Sequence, residues 1–162
     1  MSTAVAPDAF SRHDHRHCQR DALAAAETAC NRSGARLTPI RRRVLELIWS
    51  SHEPLGAYVL LDRLAGDGRR PAPPTVYRAL DFLVQQGLVH RIDSLNAFVG
   101  CPHPGESHRT LFLICRRCHR AQELPATTIA RTVATEAGEL GFEPEKMTLE
   151  VVGLCRHCAG HA

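Results

Sequence analysis

The sequence predicts an α/β (α+β) chain in two units: a helical N-terminal half closed by a small hairpin, then a smaller strand–helix–strand half. Three observations carry this. Apolar residues recur at helical spacing from Leu23 to Val84. Two short β-prone runs, LVHRID and NAFVGC, follow with only SL between them. Two cysteine knuckles, CRRC at 115–118 and CRHC at 155–158, then stand 36 residues apart with a strand, a helix and a strand pattern between them.

The first helix is expected from Asp21 to about Gly34, with Leu23, Ala24, Ala26 and Ala29 among good helix formers. In LTPIRRRVLELIWSS, Thr38 stands at the cap position and Pro39 at the first helical position. Ile40, Val44, Leu47 and Ile48 form its apolar stripe. A third helix, AYVLLDRLA, follows Gly56 and stops at GDGRRPAPP. The fourth, TVYRALDFLVQQG, begins after the prolines. Val76, Leu80, Leu83 and Val84 are its expected inward stripe, and Gly87 ends it. Ser94 and Asn96 supply turn chemistry between the two hairpin strands. Three helices and a hairpin in this order predict a winged helix-turn-helix.

In the second half RTLFLIC and RAQELP read as strands flanking the first knuckle. ATTIARTVATEAGELG is helical, with Ile129, Val133, Ala137 and Leu140 on one side. EKMTLEVVGLC returns as a strand into the second knuckle.

Of 162 residues 44% are hydrophobic but only 5% aromatic, a core short of large side chains that a metal staple would help. The net charge of +3 lies entirely before residue 91, where twelve arginines face nine acids; this fits an anionic partner there, or a merely solvated face. No apolar run of about 18 residues is present, which excludes a membrane helix. The N-terminus lacks the basic-then-apolar order of a secretory signal. Seven cysteines without such a signal read as reduced, cytoplasmic and metal-binding.

Two CxxC pairs complete a tetrahedral four-thiolate zinc site, and Cys115, Cys118, Cys155 and Cys158 fit one. A redox role is disfavoured, because a reactive CxxC opens a helix early in a βαβ unit and neither knuckle does so here. A second set of ligand types, His90, Cys101, His108 and Glu123, is spread around the junction of the two halves. Isolated histidines are more often structural than ligating. Should these four converge, their mixed nitrogen, sulfur and oxygen shell favours zinc over iron(II), magnesium or manganese. A catalytic zinc would need an open coordination position beside a base, and Glu123 is the only obvious base in the set. His13, His15 and His17 lie in a polar start read as a flexible tail, with a weak extra metal site involving them or Cys18 as the alternative.

On the fourth helix Tyr77, Arg78, Asp81 and Gln85 span the polar face, suited either to a major groove or simply to solvent. Arginine makes the bidentate guanine contact, worth about 1–3 kcal/mol of discrimination. Tyr58 stands at the start of the preceding helix, and Arg41, Arg42 and Arg43 are candidate phosphate contacts.

RLTPIRRRVLELI, PPTVYRALDFLVQQGLVH and the paired knuckles resemble the ferric uptake regulator superfamily over about residues 20–158. Within it the chain is most similar to the zinc uptake regulator branch. The iron branch carries an HHDH-type run before the strand into the first knuckle, where this chain has GESHRTLFLIC with His108 alone. The resemblance implies a cytoplasmic homodimer that binds an AT-rich inverted-repeat double-stranded DNA operator when zinc is abundant and represses zinc-uptake genes. It implies no enzyme activity and no small-molecule substrate. An iron- or peroxide-responsive regulator on the same scaffold is the alternative. By position, Cys115, Cys118, Cys155 and Cys158 match the structural zinc site. His90, Cys101, His108 and Glu123 match the regulatory one, with His103 as a competitor, giving about two Zn2+ per chain. Tyr58, Tyr77 and Arg78 match DNA-facing positions. The domains expected are a tail at 1–18, a winged-helix DNA-binding domain at 19–93, a hinge at 94–106 and a dimerisation domain with the structural zinc at 107–162.

Overall fold

The structure, a computed structural model, describes residues 8–11, 14–104, 109–145 and 147–160. Helix α1 (His15–Ser33) starts six residues earlier than expected. Asp14 explains this: its carboxylate accepts the Arg16 N–H at 2.9 Å and caps the first turn. The flexible tail expected over 1–18 therefore does not extend into His15–Cys18. Residues 8–11 are anchored as well. Ala9 N–H donates to Gln122 Oε1 at 2.6 Å, and Asp8 pairs with Arg156. The helix ends at Gly34, whose φ of 66° suits a residue without a Cβ.

Helix α2 (Pro39–Ile48) buries Val44, Leu45, Leu47 and Ile48 as its spacing predicts. A two-residue strand β1 (Leu55–Gly56), too short to betray itself by alternation, leads into α3 (Ala57–Gly66). Helix α4 (Pro73–Gln85) takes both prolines into its first turn, where their missing N–H groups cost nothing. Its buried face is Val76, Ala79, Leu80 and Leu83; Val84, expected inside, is exposed.

Strands β2 (Val89–Ile92) and β3 (Ala97–Gly100) form the wing with β1, in the order β1-β3-β2, all antiparallel. Because β3 is the central strand of this sheet, the wing runs through Gly100. The boundary expected at 93 would cut the hairpin. Asn96, at φ 46°, makes the turn. Gly100 is required for close approach: a Cβ there would lie 2.2 Å from the Trp49 indole. Gly100→Ala is expected to destabilise the fold by about 1–3 kcal/mol through overpacking. An unchanged urea midpoint would show that Trp49 yields freely.

The second sheet runs β5-β4-β6. Strand β4 (Thr110–Cys115) is antiparallel to β5 (Ala121–Pro125) and parallel to β6 (Glu150–Gly153). Helix α5 (Thr127–Glu139) makes the crossover, and a short α6 (Arg156–Ala159) follows β6. The apolar side expected on α5 is largely exposed. Ala130 is its buried residue, while Ile129, Val133 and, just beyond the helix, Leu140 are exposed. Val151 and Val152 on the edge strand β6 are also exposed, Val152 by 61%.

The main core lies among α1–α4 and the wing. A smaller cluster, Ile92, Val99, Phe112, Ile114 and Ala121, joins the wing to the second sheet. Polar contacts reinforce the joint. The Asp93 N–H donates to the Glu150 carboxylate at 2.8 Å, and Ala121 N–H donates to the His52 carbonyl at 3.0 Å.

Candidate metal centres and nucleic-acid face

The first centre is built at the open ends of β4 and β6. Phe112↔Glu150 through Cys115↔Gly153 pair in parallel, which brings the chain leaving β6 beside the chain leaving β4. Cys115 ends β4 and Cys118 lies in the turn before β5. Cys155 caps α6 and Cys158 lies on it. All four sulfurs lie within 4.8 Å of one another, and Cys118 Sγ is 3.9 Å from Cys155 Sγ. A tetrahedron with Zn–S bonds of about 2.3 Å has sulfurs roughly 3.8 Å apart, so the thiols need little movement to hold zinc.

The electrostatics point the same way. Burial pushes the Cys115 thiol up, but the backbone N–H groups of Cys118, Cys155 and Arg117 outweigh it and hold the thiol down at about 5. The Cys155 N–H contributes at 3.4 Å. Burial raises Cys118, and burial together with the neighbouring sulfurs pushes Cys158 up to about 12. Four crowded sulfurs cannot all ionise without a cation among them. A divalent ion supplies what this arrangement lacks.

The second centre lies at the joint. His90 is on β2, Cys101 immediately follows β3, and Glu123 is on β5 opposite Phe112. The Cys101 N–H donates to the Leu88 carbonyl at 3.0 Å, which keeps the thiol beside β2. One donor atom from each of His90, Cys101 and Glu123 falls within 4.8 Å of the others, and His90 Nε2 is 3.3 Å from Glu123 Oε2. Three of the four expected regulatory ligands thus come together. His108 lies outside the described residues, as does His13 of the tail. His103 is described but does not join the group. The nitrogen, sulfur and oxygen donors present fit zinc.

A third group was only half visible in the sequence. His15 and Cys18, one turn apart on α1, meet His52 from the turn between α2 and β1. Their HxxC spacing is a signal; His52 carries none and is brought in by the fold.

The candidate nucleic-acid face is α4 with the start of α3. Tyr77, Arg78, Asp81 and Gln85 are all exposed, and Tyr58 is 74% exposed. Exposed Arg69 and Arg70, which lead into α4, escaped the sequence reading because they sit in a loop without periodicity. The arginine triplet is differently placed from the expectation. Arg41 stacks 3.5 Å over the Phe82 ring, Arg42 pairs with Glu27, and Arg43 bonds Asp67 at 2.7 Å and Glu46 at 3.0 Å. All three are engaged within the domain.

A winged helix that stands beside clusters of sulfur, imidazole and carboxylate donors defines the class. Such a chain is a metal-binding winged-helix protein. It belongs to the ferric uptake regulator family, whose sequence model matches residues 32–152. It is 39% identical to the zinc uptake regulation protein of Escherichia coli (strain K12) over 140 residues, 86% of this chain and 82% of that protein. A zinc uptake regulator solved in complex with zinc and DNA superposes with a TM-score of 0.83 at 38% identity, covering 88% of this chain and 95% of that one. Holo XcZur matches with a TM-score of 0.78 at 50% identity over 85% of this chain and 96% of that one. Apo XcZur, with 87% and 97% covered at 48% identity, reaches only 0.51.

Proposed function

We propose that this chain is a zinc-responsive transcriptional repressor that binds double-stranded operator DNA when zinc occupies the centre formed by His90, Cys101 and Glu123, with His108 as the fourth ligand. The observation that carries this is the convergence of wing, hinge and β5 donors at the joint, with His90 Nε2 3.3 Å from Glu123 Oε2. Zinc bound there supplies a cross-link between the DNA-binding unit and the second sheet. The chain's own residues do the rest. Ile92 and Val99 pack the wing on Phe112 and Ile114, and Glu150 holds the wing turn. The resulting placement resembles holo rather than apo XcZur. Only a ligand that binds this closed placement more tightly than the open one can drive the response.

The working unit is a homodimer. Edge strand β6 with Val151 and Val152, and α5 with Ile129 and Val133, leave an apolar surface that a second copy would cover. Two recognition helices set about one DNA turn apart, roughly 34 Å, match an AT-rich inverted repeat. Tyr58, Tyr77 and Arg78 read the operator, and Arg69 and Arg70 join the phosphate contacts. Zinc-uptake genes are the expected targets and the cytoplasm the expected compartment. One zinc in the four-cysteine clip and one at the joint give about two per chain. The class is a regulator, not an enzyme.

The test is zinc content and DNA binding before and after mild chelation. Loss of the joint zinc should abolish operator binding while the four-cysteine zinc stays. Operator binding indifferent to chelation would refute the reading, and recovery with iron(II) but not zinc would favour the iron-responsive alternative. Arg78→Ala should weaken operator binding by about 1–3 kcal/mol and relax base preference at one position. A uniform loss across all sequences, seen by competition with non-operator DNA, would make Arg78 a phosphate contact instead.

A further inference from the structure

The cluster His15, Cys18 and His52 belongs neither to the four-cysteine clip nor to the joint. Its donor atoms lie within 4.8 Å of one another. The His15 and His52 rings are 4.9 Å apart between centroids and tilted by 58°. Three features make this more than a chance packing of rings. Asp14 caps α1 one residue before His15, which sets the start of the helix and turns His15 and Cys18 onto one face. His52 is 8% exposed and is the buried polar or charged side chain of the core among the described residues. Its backbone carbonyl is fixed by the Ala121 N–H at 3.0 Å, so the turn that presents the imidazole is held from the second sheet.

We propose that His15, Cys18 and His52 form a third zinc(II) site, which fastens the start of α1 to the turn between α2 and β1. Two imidazoles and a thiolate are a donor set that takes zinc in preference to magnesium, calcium or manganese. Zinc bonds of about 2.0–2.3 Å need donors roughly 3.3–3.8 Å apart, so donors already within 4.8 Å of one another need close by no more than about 1.5 Å. Three protein ligands leave one tetrahedral position for water or an exchangeable donor. The site is therefore weaker and more labile than the four-cysteine clip. It also communicates with the joint: His52 and Glu123 line one cavity with Ala9, Trp49 and Gly100. Ala121, which holds the His52 carbonyl, stands two residues before Glu123 on β5.

The experiment reads metal content, not DNA binding, so it stands or falls apart from the repressor reading. Cys101→Ser protein is saturated with zinc, freed of excess by gel filtration, and assayed for zinc per chain before and after a mild chelator. The joint is disabled in this background, so one chelator-labile zinc beyond the clip is expected. Adding Cys18→Ser, or separately His15→Ala at the half-exposed start of α1, should remove that equivalent. Adding His17→Ala should keep it. Cobalt(II) loaded after chelation should show a single-thiolate charge-transfer band that Cys18→Ser abolishes. A Cys101→Ser chain with no labile zinc overturns the site, as does a labile zinc or cobalt band that persists in both the Cys18→Ser and His15→Ala backgrounds.

Discussion

Cys118→Ser is expected to cost the chain its second sheet while α1–α4 stay folded. The reason is the size of the unit the clip holds. Its share of buried apolar residues is little more than Leu111, Phe112, Ile114, Ala121, Ala126 and Ala130, and β6 and α5 leave much of their apolar surface exposed. A structural zinc contributes about 10–16 kcal/mol of apparent binding free energy. That matches or exceeds the roughly 5–15 kcal/mol of an entire folded domain. With one ligand gone, Cys115, Cys155 and Cys158 hold the metal far less well, and the sulfurs lose the cation that let them ionise together. Zinc content should fall by one per chain, and amides of β4, β5 and β6 should lose hydrogen-exchange protection that α2 and α4 retain. The clip should also fail on acidification, as protons reach Cys115, which is held down at about 5 and so is among the last of these thiols to protonate. A Cys118→Ser chain that keeps its full zinc content and strand protection would refute the structural assignment.

Cys101→Ser should leave the fold intact and remove the zinc response. Serine is close in size to cysteine, and the Cys101 N–H bond to Leu88 is a backbone contact that the substitution does not touch. What changes is the donor: a neutral hydroxyl replaces the one thiolate of the joint centre. Allosteric couplings of about 1–3 kcal/mol correspond to roughly 5- to 150-fold in affinity. Zinc-dependent tightening on operator DNA should shrink by that factor, with the melting transition of the zinc-clipped chain little altered. A zinc titration of DNA binding indistinguishable from that of the unaltered chain would move the sensing site elsewhere.

How much of this was legible in the sequence follows from the range of each signal. Helix α2 was plain because its cap, its proline and its apolar stripe all agree within fifteen residues. The first turn of α1 was not, because HRHCQR has no apolar periodicity and only Asp14 marks the start. Val84 and Ala79 were exchanged because both lie near the edge of the helical stripe, and spacing alone does not say on which side the neighbouring helix falls. The apolar residues of α5 share one side in the sequence, but spacing alone does not say what that side faces, and Ile129 and Val133 are exposed. The clip was legible because each half is local. The joint centre was reached through a family resemblance, since His90, Cys101 and Glu123 are separated by strands whose pairing no spacing rule reveals. His52 was missed for the same reason, without a resemblance to help.

The β4–β5 hairpin has a consequence for timing. Cys115 ends one of its strands and Cys118 lies in its turn, while Glu123 sits in the middle pair of the ladder, opposite Phe112. On the proposed reading, the residue that reports zinc is mounted on the element that zinc must first build. The two loadings would then be ordered: a newly made chain would have no joint to fill until its clip is filled. The clip would therefore have to capture its ion at free zinc levels below those the joint detects, and a cell starved past that point would lose the instrument before losing the reading.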